Sequence, residues 1–597
     1  MVARSLLVVA LLTVLLVPMV DRAQSAEGVP PIVPLAEVKP GMKGIGRTVV
    51  RGQRVEEFNF EVIGILQGGG GFINSKHLIL FRASGPMIDK IGGTAAGMSG
   101  SPLYMNGKLV GALSAGYINV LEKRDLALAT PIEEMLPVLD RGAGNSQGHW
   151  PRTFHAAAPI SIGDRRIDTV VIVADAAQAA QVDRARLPGV SAFVPARFPV
   201  TASGLSPRVQ RIVEQALGLG EPLQQYAGGL TEFPAEPIVG GSSVGILQVR
   251  GDLVFGGICT VTLRVGDRLL ICGHPWDDLG DVEYALTASE VITVIRVLER
   301  PFKEFNLGEI IGKIDQDRGT AIRGVVGQFP RMFTVRVEVT NQDSGTVVRK
   351  GMQVVRRRDL ARIFATAMTL TAFDRARDQT AGGGTAKVKI TLRGKGLPRD
   401  LVRENTFYSS RDVGIAAAGD LPDVLNFLFH NDLGVVEPLD AKIEVTFSSA
   451  RTTAAITSAR VERREVSPGE VLRVQLTLRQ YQSTTQDSRV ISIPIPRNFP
   501  RGPAVLTIGP AGNGDPPDAR LAAGLTREPD PVRGGNLADA MGLIEDFGKN
   551  TDISIQLLPY GLPADGGEFT KFDVSAGRFI QTDWVIQGTY QIPILVK

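Results

Sequence analysis

Gly97-Met98-Ser99-Gly100-Ser101-Pro102 runs directly into Leu103 to Leu113, with Asn106-Gly107 at the centre of that second stretch. Asn-Gly is the strongest two-residue turn signal, and here it separates two apolar runs. Residues 103–113 therefore predict a β-hairpin. A serine flanked by glycines just before a hairpin suits a nucleophile turn. The glycines permit a tight backbone that presents the side-chain oxygen. They also let backbone N–H groups converge on one point, as an oxyanion hole requires. Glycine and serine fill ordinary turns too, so the string alone leaves both readings open.

Working outward, the chain reads mostly as strands. Phe58 to Leu66 begins with alternation and ends apolar, and His77 to Phe81 is a second strand. Val244 to Arg250, Ile258 to Arg264 and Arg268 to Cys272 follow. Lys387 to Arg393, Ala441 to Phe447, Val471 to Leu478 and Val490 to Ile495 alternate as sandwich strands do. Helices are predicted near Thr130–Leu136, Ser206–Leu217, Arg356–Arg377 and Asn536–Phe547, and the Arg356-Arg357-Arg358 run reads as a solvated helix start. Gly 67 and Pro 37 against 6% aromatics fit a turn-rich β body. No internal repeat is visible.

A chain of 597 residues calls for several domains. The expected division is 1–26 signal peptide, 27–140 serine-bearing segment, 141–240 linker or insert, and 241–345 histidine-bearing segment. A helical connector at 346–380, a β-sandwich-like domain at 381–520 and an α/β segment at 521–597 complete it. Lys plus Arg is 65 and Asp plus Glu is 62, a net charge of +3, which argues against a nucleic-acid or polybasic membrane binder. Arg4, the apolar run Leu6–Val20 and the small residues Ala23 to Ala26 read as a secretory signal, or as a membrane anchor if uncleaved. The expected location is extracytoplasmic, secreted or periplasmic. Two cysteines build no disulfide framework and no Cys-based metal site. If residues 258–272 form a hairpin turning at Val265–Asp267, Cys259 falls opposite Cys272 or one place away, near disulfide range.

A serine nucleophile needs a base, and the chain has five histidines: His77, His149, His155, His274 and His430. His274 stands in Cys272-Gly-His-Pro-Trp276, at the end of a strong strand and the start of a loop, where catalytic groups tend to be placed. His77 lies within an apolar strand, His149 and His155 in a linker, and His430 at the end of an apolar helix. No two histidines have metal-ligand spacing, so a zinc hydrolase is disfavoured, and neither metal nor cofactor is expected.

Gly92-Gly-Thr-Ala-Ala-Gly-Met-Ser-Gly-Ser-Pro102, followed by Asn106-Gly-Lys-Leu-Val-Gly-Ala112, resembles the nucleophile segment of the SpoIVB family of serine peptidases. Ile132 to Leu136 is similar to that family's closing helix. Gly257-Ile-Cys-Thr-Val-Thr-Leu263, then Gly273-His274 and Asp278, resembles its histidine segment. The resemblance implies a mainly β, chymotrypsin-like double β-barrel, with serine and histidine on different halves. It implies Ser99 as nucleophile, His274 as general base and the N–H groups of Gly97 and Ser99 as the oxyanion hole, with Ser101 the competing serine. A protein or peptide substrate follows, which in the sporulation member is a partner at a membrane. Two features depart from the pattern. The serine segment comes first, with His274 following 175 residues later. Ser84 stands where the family has its acid, which leaves Ser84, Asp89, Asp277 and Asp278 as candidates for the third member. Two functions are carried forward: a serine endopeptidase working through an acyl-enzyme, and a catalytically weak or inactive relative that binds protein.

Overall fold

The computed structural model describes residues 28–597 except 69–74, 117–124, 141–151, 163–164, 173–180, 183–184, 186, 196–198, 219–222, 226–229, 235, 298–300, 380, 513–520, 522–524, 526–534, 547 and 561–575. The predicted signal segment and His149 lie outside the described residues.

Six antiparallel strands close the first barrel: β1 (Lys43–Val49), β2 (Val55–Gly68), β3 (His77–Ser84), β4 (Pro102–Met105), β5 (Lys108–Gly116) and β6 (Leu126–Pro131). Round the barrel the order is β1-β2-β3-β6-β5-β4 and back to β1. The predicted hairpin is β4–β5, and Asn106 and Gly107 both take positive φ, 50° and 76°, as its tight turn demands. Phe58, Phe60, Val62, Ile79, Phe81, Leu103, Val110 and Leu113 fill the interior. Three further strands, β7 (Arg152–Ile162), β8 (Arg165–Ile172) and β9 (Val190–Pro195), extend this sheet, with β9 pairing β5 and β7 pairing β2.

Two short strands, β10 (Val200–Ser203) and β11 (Gln224–Gln225), lead into a second closed barrel. It consists of β12 (Ser243–Gly251), β13 (Val254–Val265), β14 (Arg268–Ile271), β15 (Gly280–Ile295), β16 (Phe302–Arg318) and β17 (Ala321–Val326). The order is β12-β13-β14-β17-β16-β15 and back to β12, the same path as in the first barrel. The fold is thus the expected mainly β, double-barrel one. A repeat that leaves no trace in the residues is plain in the topology.

Beyond the barrels the arrangement differs from the sandwich at 381–520 that the alternation suggested. Strands β18 (Met332–Asn341), β19 (Val347–Val355), β20 (Gly384–Lys395), β21 (Leu401–Ser409) and β22 (Glu437–Ser448) continue the sheet of the second barrel, joined where β19 pairs β12. The two facing sheets, of four and five strands, are built from Thr453 to Val596 around a core of their own. Helix Arg358–Arg377 is buried nearly all round, with Leu360, Phe364, Met368 and Phe373 packed into the same core as Val244, Ile246 and Val261 of the second barrel. Its leading arginines are not solvated: Arg356 pairs Glu437, Arg357 pairs Asp277 and Asp359, and Arg358 meets His430.

Because this helix completes the second barrel's core, a chain ending at residue 345 loses β19 and the helix together. Removing a handful of large core side chains costs several kcal/mol each, more than a whole domain's stability. Such a truncation is expected to be insoluble or to melt without cooperativity, as circular dichroism would report. A sharp melt equal to that of the full chain would contradict the shared core.

Candidate active site

Each barrel contributes one loop, and both loops connect the third strand of their barrel to the fourth. In the first barrel, β3 leads through helix Pro86–Ile91 to the turn at 97–101. Met98 is buried in the first barrel's core and anchors the turn from below. Gly97 and Gly100 both have φ of 91°. A Cβ on Gly100 would lie 2.0 Å from the Thr260 carbonyl and 2.5 Å from Cys272 N, so only glycine lets the second barrel approach this closely. In the second barrel, β14 ends at Ile271. Cys272 and Gly273 follow with φ of 74° and 72°, and the chain turns sharply to aim His274 back at the first barrel.

The structure brings Ser99 and His274 together. Ser99 Oγ lies 2.9 Å from His274 Nε2, and both residues are fully buried. His274 Nδ1 lies 2.8 Å from the Pro275 carbonyl oxygen. A carbonyl only accepts, so Nδ1 carries the proton, and Nε2 is left to accept from the serine hydroxyl. This is the tautomer that a general base needs. Ser101 Oγ instead donates to the Met98 carbonyl at 2.6 Å, which locks the turn. The Gly97 N–H makes no hydrogen bond to the described residues, and Gly97 and Ser99 sit two apart, as the two donors of an oxyanion hole do.

Threonines hold the two loops across the interface. Thr260 N donates to Ser99 O at 2.7 Å, Thr260 Oγ1 to Gly97 O at 3.0 Å and Thr262 Oγ1 to Gly100 O at 2.8 Å. From the other side, Thr130 Oγ1 on β6 donates to Gly273 O at 2.7 Å. Thr260 and Thr262 belong to the strand that carried the family resemblance, but nothing in the sequence marked their contacts. A disulfide joins Cys259 to Cys272, fixing the residue two before His274.

Ser84, Asp89 and Asp277, three of the candidates for the third member, have surroundings of their own. Ser84 ends β3 opposite Asn59 and is exposed, whereas His274 is fully buried, so Ser84 does not orient the imidazole. The pleat explains this: Ala83 faces the barrel interior, and its neighbour turns outward. Asp89 is exposed on its helix. Asp277 accepts from the Tyr284 hydroxyl at 2.8 Å and pairs Arg357. Asp278 lies half-buried in the histidine loop with φ of 55°. Of the other histidines, His77 meets Glu134 and His155 meets Thr169, at 2.8 and 3.3 Å. No cluster of metal-binding side chains occurs among the described residues.

Two buried ionisable groups on β16 escaped the sequence reading. Lys303 is fully buried, and its Nζ donates to Thr48 Oγ1 at 3.0 Å and reaches Thr260 Oγ1 at 3.4 Å. No carboxylate pairs it among the described residues, and burial pulls its ammonium down to about 7. Its stem packs on Gly97, and its N–H donates to Ala96 O at 3.0 Å. Asp317 is also fully buried; it accepts from Trp276 N and Asp277 N, each at 2.7 Å.

Residues 20–136 match the SpoIVB peptidase S55 family. The match implies a serine peptidase, a hydrolase acting on protein. It spans Ser99 and stops short of His274. No curated protein and no solved structure matches the chain.

Lys303 generates a prediction on stability. Its folded pKa of about 7 lies below the ordinary 10.5, so between those values the unfolded chain binds more protons and stability rises with pH. The penalty for the buried charge is therefore full below pH 7 and fades toward pH 10.5. Lys303→Met, which swaps the ammonium for an apolar end, should raise the melting temperature at pH 6 and do so less at pH 9.5. A variant effect independent of pH would show that the ammonium carries no such penalty.

Proposed function

We propose that the protein is an extracytoplasmic serine endopeptidase that cleaves a protein substrate through an acyl-enzyme. The observation that carries this reading is the 2.9 Å approach of Ser99 Oγ to His274 Nε2, which accepts because Nδ1 donates to Pro275 O. Ser99 Oγ attacks the scissile carbonyl carbon while its proton passes to His274 Nε2. The negative charge that forms on the carbonyl oxygen is received by the N–H groups of Gly97 and Ser99. When the tetrahedral intermediate collapses, Nε2–H gives its proton to the leaving amine and the C–N bond breaks. Water, deprotonated by Nε2, then attacks the ester, and Ser99 recovers its proton. No cofactor enters these steps. The leader-like residues 1–26 and the Cys259–Cys272 disulfide support placement in an oxidising compartment.

A second reading, a weak or inactive relative that binds protein, is favoured by one observation: Ser99 and His274 have no exposed surface in this conformation. Labelling of the mature protein with a fluorophosphonate separates the two, because only an activated serine reacts readily. The peptidase reading expects stoichiometric labelling at Ser99, lost in Ser99→Ala and His274→Ala. Turnover in each should fall to a common floor, roughly 10⁶-fold down, because the two act as one unit. Ser101→Ala should keep the label. A wild-type protein that neither labels nor cleaves would favour the binding module.

A further inference from the structure

The imidazole of a serine peptidase is oriented through Nδ1, and here Nδ1 lies 2.8 Å from the carbonyl oxygen of Pro275. The other end of that same peptide is the Trp276 N–H, and its partner is Asp317 Oδ1 at 2.7 Å. In a trans peptide the C=O and N–H point in opposite directions. The three groups therefore form one line: His274 Nδ1–H to Pro275 O, then Trp276 N–H to Asp317. We propose that Asp317 is the acidic partner of the site, a positioning residue that acts on His274 through the Pro275–Trp276 peptide.

The chemistry needs no proton to leave Nδ1. As Ser99 hands its proton to Nε2, the imidazolium draws on the Pro275 oxygen. The peptide polarises, and the Trp276 N–H presses its partial charge on the carboxylate. Chained hydrogen bonds strengthen one another in this way, and a second-layer carboxylate behind a ring N–H fixes its orientation and raises its basicity. Asp317 Oδ2 takes the next N–H, that of Asp277, so both oxygens are spent on the histidine loop. A fully buried carboxylate is a costly anchor for a loop, and no cation pairs it among the described residues. Burial, then the charge of Asp277, pushes its carboxyl up to about 7, while the two N–H groups favour the ionised form. The charged and titratable groups around it are Asp277 and Asp278 of the same loop, Tyr284 and Arg357, which hold Asp277, and Arg318, which pairs Asp281.

The role in turnover rests on the peptidase reading; the relay itself does not, so two measurements keep them apart. The first is an NMR titration of His274 in Ser99→Ala protein labelled with ¹⁵N-histidine, in which only five histidines need assignment. Adding Asp317→Asn is expected to lower the His274 pKa by roughly 0.5–1 unit, less than a direct ion contact gives because a peptide intervenes. Asp278→Asn is expected to move it less. The second is turnover with intact Ser99. There Asp317→Asn should lower kcat by about 10–100-fold with KM nearly unchanged, and shift the acid limb of the kcat/KM profile to lower pH. A loop anchor alone would weaken folding without moving either titration. An unmoved His274 pKa in Asp317→Asn, or a larger shift in Asp278→Asn, overturns the relay. If the titration shifts but wild-type protein neither labels nor cleaves, the relay stands and the peptidase reading falls. Should Asp317→Asn fail to fold, Asp317→Glu in the Ser99→Ala protein decides: it keeps the charge but moves the carboxylate off the Trp276 N–H, so the His274 pKa should fall, and an unmoved pKa overturns the proposal.

Discussion

The 2.9 Å contact between Ser99 and His274 spans two barrels that share no strand, so it is only as exact as the fit between them. Neither barrel holds its own site loop alone. The second barrel fixes the serine turn through the Thr260 N–H and the hydroxyls of Thr260 and Thr262, and the first fixes the histidine turn through Thr130. Gly100 permits the close approach, because a side chain there would drive Thr260 and Cys272 away. Loosening one barrel against the other therefore disturbs both halves of the site together. Effects of substitution at Thr130 and Thr260 should be coupled although the residues lie on different barrels.

Strand β16 sets the electrical character of the site. It buries a lysine behind the serine turn and an aspartate behind the histidine turn, and neither has a neutralising partner among the described residues. A fold selected for stability alone would fill both places with apolar side chains of similar volume. That the second barrel instead carries two groups uncompensated among the described residues, one near Ser99 and one near His274, is a local conflict with packing of the kind found at functional positions.

Much of this was legible in the residues, for physical reasons. The serine turn announced itself because tight backbone and convergent N–H groups require glycines. With only five histidines, the search for a base was short. Hairpin geometry brought Cys259 and Cys272 near disulfide range without deciding the bond, which the structure forms. Other features could not be read. Ser84 matched a family position, but the β3 pleat turns it to solvent. Strands β15 and β16 shift register four times against each other, which blurs the two-residue period that marks a strand. Lys303 and Asp317 were hidden within them. Alternation from residue 387 onward correctly marked half-buried strands, but alternation does not say which sheet a strand joins. Arg356 to Arg358 read as solvated because their partners, Glu437, Asp277 and His430, are distant in the chain.

The two barrels follow the same strand path, and each offers its candidate residue, Ser99 or His274, from the same connection, between its third and fourth strands. The site is thus made of two equivalent sockets facing each other. Which socket holds the serine and which the histidine is not decided by the architecture, and neither is the order in which the chain visits them. Serine before histidine is then as natural as the reverse. A search that demands the two motifs in a fixed order would pass over a molecule like this one, whereas a search for the paired sockets would find it in either orientation.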